Sequence, residues 1–240
     1  ACQTGLLPVG TLAAPSLVAR ISEQATLVRD DAGVWGGPSL GITHQCAPGY
    51  EAKKALDLSA VPPAVWDAAT QARLSVYFVV YDHSSHTLPR REGGAPPEPN
   101  GLDEAIEVAV NGHVRRIPTN ADLPVFDGKK GMQEDLRWYD FAVPKSQLVR
   151  GSNEFIFRKA PNDKKASDDY LYLGIDNTVP GGNSWVRLSP GGPWQQDKLT
   201  WPGGKGEYMV RLTLIAGDLA FEALWRPDGQ GSDPGRIFDY

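Results

Sequence analysis

Three tryptophans, Trp185, Trp194 and Trp201, fall within one stretch rich in glycine and proline, with Asn177 and Asn183 beside them. A pyranose ring has one face rich in C–H groups that stacks on an aromatic plane, and its hydroxyls need paired donors and acceptors such as a carboxamide supplies. Tryptophan beside asparagine in a stiff loop offers both, so this zone is the first candidate for a carbohydrate platform. Trp35, in Val34-Trp35-Gly36-Gly37-Pro38, is a weaker member, flanked by residues too small or stiff to cover it. The competing reading is that these rings plug the open ends of the fold. Trp66, Trp138 and Trp225 sit in periodic segments and are expected to be core.

Asp82-His83-Ser84-Ser85-His86 has the residue types of a metal or catalytic loop. Zinc needs further ligands at recognisable spacing, and His44 and His113 lie in unrelated contexts, so Asp82 and His83 are read instead as polar groups lining a binding groove. No Gly-x-Ser-x-Gly elbow supports a serine triad. Glycoside hydrolysis would need two facing carboxylates, and Asp176 and Glu207, which border the tryptophan zone, are the first pair to test.

The elements that must hold these residues are strands. Ile106 to Val110 alternates apolar and polar residues up to Asn111-Gly112, a pair suited to the positive φ angles of a two-residue type I′ turn. That register sets Ile106 against Ile117 and Glu107 against Arg116. Leu74 to Tyr81 is the most hydrophobic run; it is apolar on both faces and is expected to be central in a sheet. Tyr139 to Pro144, Glu154 to Arg158, Tyr170 to Asp176 and Glu207 to Ile215 follow, the last two with Leu171, Leu173 and Ile175, and with Tyr208, Val210, Leu212 and Leu214, on one side. Ala25 to Arg29, Leu17 to Ser22 and Leu219 to Trp225 are shorter candidates. Pro62-Pro63 limits the segment 55–66 to a strand end, a loop and one helical turn. About nine candidate strands and no helix of ten or more residues predict an all-β, antiparallel two-sheet sandwich of jelly-roll type. Residues 1–240 are read as one domain, with 1–16 as an N-terminal arm and 226–240 as a C-terminal tail.

The bulk properties exclude some functions. Lys+Arg 24 against Asp+Glu 29 gives a net charge of -5 with no long run of one sign, unlike the basic footprint of a nucleic-acid binder. No apolar run is long enough for a transmembrane helix. Gly 26 and Pro 20 suit many strands joined by turns.

Val108-Ala109-Val110-Asn111-Gly112 and Leu148-Val149-Arg150-Gly151-Ser152-Asn153-Glu154-Phe155, with an aromatic strand between them, resemble the galactose-binding-like β-sandwich superfamily, the fold of sugar-binding domains of glycoside hydrolases and of many carbohydrate-binding modules. The resemblance implies a jelly roll whose end loops hold a polysaccharide or glycan, export to a secreted, cell-surface, periplasmic or lipid-anchored location, and attachment to or association with a carbohydrate-active enzyme. It also implies that a structural Ca2+ is to be looked for, with Asp30 and Asp31 as conceivable ligands. In an exported chain Cys2 and Cys46 would most simply form a disulfide; a lipoprotein-type cleavage scar at Ala1-Cys2, or two free buried thiols, are the alternatives. The preferred reading is a non-catalytic carbohydrate-binding module. A polysaccharide lyase or hydrolase, and a cell-surface scaffold whose tryptophans only pack, stand beside it.

Overall fold

The computed structural model describes residues 25–34, 49–82, 101–118, 122–126, 135–160, 169–199 and 204–216, with 43–46 described by backbone alone. Among them are twelve strands: β1 (Ala25–Val28), β2 (Thr43–Cys46), β3 (Glu51–Asp57), β4 (Ala69–Asp82), β5 (Ile106–Val110), β6 (His113–Ile117), β7 (Arg137–Pro144), β8 (Ser152–Lys159), β9 (Asp169–Asp176), β10 (Ser184–Arg187), β11 (Glu207–Tyr208) and β12 (Val210–Ala216). One helix, α1 (Pro63–Ala68), and a 3-10 turn at Lys145–Gln147 complete the described elements. The large sheet runs β1-β12-β4-β9-β11, with β2 on β9 and β7 on β4; the small sheet runs β10-β3-β8-β5-β6.

The pairings between these strands are antiparallel, and the architecture is an all-β sandwich. Its core follows from the period of two. Leu74, Val76 and Phe78 of β4, Leu171 and Leu173 of β9, and Val210 and Leu212 of β12 meet Val108 and Val110 of β5 and Phe155 and Phe157 of β8. Burying such a side chain contributes about 1.5–3 kcal/mol, which is why alternation fixes the pairing of two half-apolar sheets. β4 is central, as its composition predicts. Its other face, Tyr77, Val79 and Tyr81, packs with Phe126, Leu136, Tyr170 and Tyr172 in a second cluster. The run 207–215 is split at Met209: Tyr77 N–H donates to the Met209 carbonyl at 3.0 Å and Met209 N–H to that of Gly174 at 2.9 Å, so the chain passes from β9 to β4 at this residue.

The β5–β6 hairpin has the expected register, Ile106 against Ile117 and Glu107 against Arg116. Asn111 (φ 48°) and Gly112 (φ 84°) both take positive φ, as a type I′ turn requires. The asparagine does more than permit the turn. Asn111 Nδ2 donates to Asn153 Oδ1 at 2.9 Å and to the Gln147 carbonyl at 2.8 Å, while its Oδ1 accepts the Glu154 N–H at 2.8 Å. Fully buried Asn153 accepts Val149 N–H and donates to the carbonyls of Val149 and Gly151, each at 2.8 Å. The Asn-Gly and Gly-Ser-Asn-Glu motifs are therefore two halves of one clasp that ties the hairpin turn to the β7–β8 connection.

Two elements depart from the expectation. Residues 51–57, Glu-Ala-Lys-Lys-Ala-Leu-Asp, form a full interior strand of the small sheet where only a strand end within 55–66 was expected, because β10 and β8 pair on both edges. Within the expected loop zone, Ser184–Arg187 is an edge strand on β3. The Pro62-Pro63 pair starts a helix: Pro63 stands in the first turn, where no N–H is needed. No helix among the described residues is long and apolar enough to cross a membrane. The arm 1–16, the tail 226–240 and the candidate strands 17–22 and 219–225 lie outside the described residues, as does Cys2.

Candidate functional site

The outward face of the small sheet is built from the alternate residues that the core does not use. Ala52, Lys54 and Leu56 of β3 are buried, so Glu51 and Lys53 point the other way. Strand registers then set two rows across all five strands: Trp185, Lys53, Ile156, Ala109 and Val114, and beside it Arg187, Glu51, Arg158, Glu107 and Arg116. The second row alternates in charge. Glu51 accepts Arg187 Nη1 at 2.7 Å and Arg158 Nη1 at 2.9 Å, and Arg158 Nε donates to Glu107 at 2.8 Å. The hydrogen bond to Glu51, assisted by Glu107 and opposed by partial burial, raises the Arg158 pKa above its usual value.

Trp194 joins this face from the following segment. Val186 and Gln195 exchange two backbone hydrogen bonds of 2.8 Å, and Gln196 Nε2 donates to the Gly182 carbonyl at 2.6 Å, which folds residues 194–196 back along β10. Lys53 Nζ then lies 4.7 Å from the Trp185 ring centroid and 4.6 Å from that of Trp194, and Arg187 Cζ is 4.2 Å from Trp194. Lys53 also pairs with Glu154 at 3.3 Å. Cation–π contacts of about 0.5–1 kcal/mol each hold both half-buried indoles in place before any ligand arrives. The arrangement offers aromatic surface flanked by ammonium, guanidinium and carboxylate groups, the donor and acceptor set that a polyhydroxylated ligand needs.

The other expected residues divide. Asn183 is exposed at the start of β10, but its Nδ2 donates to Asp30 at 2.9 Å and its N–H to Glu207 at 2.8 Å, so it supports the platform's edge. Asn177 is exposed just after β9. Asp82 ends β4 in the large sheet, is buried, and accepts the Gly101 N–H at 3.1 Å, a loop anchor rather than part of the tryptophan face. Trp35, Trp201 and His83 lie outside the described residues.

Asp176 and Glu207 are neighbours across β9 and β11, each engaged in holding the fold. Burial pushes the Asp176 carboxyl up, but hydrogen bonds from Thr178, Val34 and Ala32 outweigh it and leave the pKa lowered. Glu207 pairs with the fully buried ammonium of Lys54, which also meets Asp30 at 2.5 Å; Ser184 Oγ donates to Glu207 at 2.5 Å. Asp31 takes Arg211 in a two-pronged pair at 2.8 and 3.2 Å. Asp30 and Asp31 thus have protein cations as partners.

Asp103, Glu104 and Asp169 bring carboxylate oxygens within 4.8 Å of one another, a grouping that the sequence reading did not single out. Lys159 supplies a cation there, 3.2 Å from Glu104 and 3.7 Å from Asp169. Burial raises the Asp169 carboxyl to about 6, against the pull of the Glu104 and Asp103 N–H groups and Lys159, and burial likewise lowers the Lys159 pKa. The groups that reasoning from sequence missed on the tryptophan face, Lys53, Glu51, Arg187 and Arg158, were hidden because β3 was read only as a strand end within 55–66 and β10 as part of a loop zone, which left the neighbours of strand 154–158 unknown.

No family model matches the chain, and no curated protein matches it. The resemblance to the galactose-binding-like superfamily rests on residues 108–112 and 148–155 alone.

Proposed function

We propose that this chain is an exported, non-catalytic carbohydrate-binding module of galactose-binding-like, jelly-roll type, which holds a polysaccharide or glycan on the outward face of the small sheet and works beside a carbohydrate-active enzyme. The observation that carries the reading is the convergence of Trp185 and Trp194 on one cation, Lys53, next to the Arg187-Glu51-Arg158 row. In this reading the indoles stack on sugar C–H faces, and Lys53, Arg187 and Glu154 hydrogen-bond hydroxyls at the rim. Asp176 and Glu207 serve the fold, so they are not offered as an acid–base pair.

The purified protein is screened against neutral and acidic soluble polysaccharides while each mixture is assayed for new reducing ends. Retention on one glycan without product is expected, with Trp185→Ala and Trp194→Ala each weakening it by about tenfold or more, the loss of one stacking contact of roughly 1–3 kcal/mol. Product formation would replace the reading with an enzyme, and silence across the panel would favour a scaffold.

A further inference from the structure

The sandwich opens at one edge into a cleft of about 500 Å3 between β5–β6 of the small sheet and β7 of the large one. Its floor is apolar: Val108, Val110, Phe141 and Val143 belong to the inter-sheet core. Its mouth is cationic. β6 is the last strand of the small sheet, and pairing with Val110, Val108 and Ile106 turns His113, Arg115 and Ile117 toward the inside of the sandwich. Of these only Ile117 is buried in the core; His113 and Arg115 take the core-facing side of the strand but stay exposed at the open edge, where the pattern asks for apolar residues. No Asp or Glu is among the described residues that line the cleft. Arg115 Nη1 reaches across to the Ala142 carbonyl of β7 at 3.3 Å, one long bond among the described residues for a group with five donors.

A cleft of this size lies within the range of small-ligand sites, about 300–1,000 Å3. An apolar floor suits a hydrocarbon body and makes a poor bed for a polyol, whose hydroxyls would go unpaired. A guanidinium fork at the rim matches a carboxylate in geometry and charge. We propose that this cleft binds an organic anion with an apolar body, of the fatty carboxylate class, its carboxylate on Arg115 and its chain over Val108, Val110, Phe141 and Val143. The site is separate from the tryptophan face and does not depend on the carbohydrate reading.

The alternative role for an inward charge on an edge strand is to block strand-to-strand association. Calorimetric titration of the full chain with decanoate, below its micellar range, separates the two. The proposal expects one saturable site, with affinity about tenfold weaker for decan-1-ol and for Arg115→Gln, the scale of one charge-assisted hydrogen-bonded pair. Gln147→Trp, which places a large ring at the cleft wall without touching Arg115, should weaken decanoate to a similar degree while the urea midpoint stays near wild type. Uptake without saturation, equal affinity for decanoate and decan-1-ol, or wild-type affinity in both variants would overturn the assignment. So would absence of decanoate binding combined with self-association of Arg115→Gln in sedimentation, which would identify Arg115 as a guard of the edge.

Discussion

Lys54 and Asn153 carry more of this fold than their residue types announce. Lys54 stands at an inward position of β3 between Ala52 and Leu56, and its ammonium joins Glu207 and Asp30, tying the small sheet to the large sheet and to the turn after β1. Removing one member of a buried ionic cluster strands the others, so Lys54→Met is expected to destabilise the protein by about 3–5 kcal/mol in urea unfolding. A change below about 1 kcal/mol would show that the cluster holds nothing. Asn153→Ala should cost about 1–3 kcal/mol, because Val149 N–H and two carbonyls lose their partner in a dry site; Asn153→Asp should not restore stability, since it lacks the donors. At this scale legibility was uneven. Asn111-Gly112 announces its turn through the φ angles it tolerates. Lys54 gives no such notice, because a lysine within Glu-Ala-Lys-Lys reads as solvent-facing until the strands on both sides are known.

Elements with strict alternation were readable, and those whose polarity is set by tertiary partners were not. β4, β5, β9 and β12 each present an unbroken apolar row, and the hydrophobic effect leaves one way to bury it. β3 and β10 place charges and indoles on their outward rows, so β3 was legible only as a strand end within 55–66 and β10 fell in the glycine- and proline-rich zone, which is why the tryptophan platform was expected in a loop and stands partly on an edge strand. The junction of β4, β8 and β9 yields a prediction in pH. Asp169 has a carboxyl raised from 3.8 to about 6 by burial, with Lys159, Glu104 and Asp103 facing it. The folded state thus holds this proton more tightly than the unfolded one. Its contribution to stability is fully present below about pH 4 and is lost as the pH rises through about 6. Asp169→Asn keeps an acceptor for the Asp103 and Glu104 N–H groups and cannot ionise. Urea unfolding between pH 4 and 7 should show a decline in the wild type, up to about 3 kcal/mol, that the variant lacks. Parallel profiles would exclude Asp169 as its source.

For the molecule as a whole, the two sheets share one apolar core and differ in what their outer faces carry. The large sheet's outer face joins the cluster of Tyr77, Val79, Tyr81 and Tyr172 to a polar part, with Arg73 and Ser75 on Asp140 and Arg211 over Trp138, whereas the small sheet's outer face carries the paired tryptophans and the alternating Arg-Glu row. A face on which two indoles converge on one cation beside a continuous charged row is where a flat, hydroxylated ligand can lie, and that pairing underlies the functional reading. The two-sheet class was legible because the number of alternating runs demands it. The ligand face was not, because it depends on which strands are neighbours, and Arg187, Glu51, Arg158 and Glu107 are far apart in the chain. The most direct measurement is to follow the indole N–H resonances of the wild-type protein by NMR during titration with the glycan that the screen retains. The Trp185 and Trp194 signals should shift saturably in step with binding while those of Trp66 and Trp138 stay in place. Saturable binding that leaves Trp185 and Trp194 unmoved would place the glycan elsewhere and rule out the tryptophan face as its site.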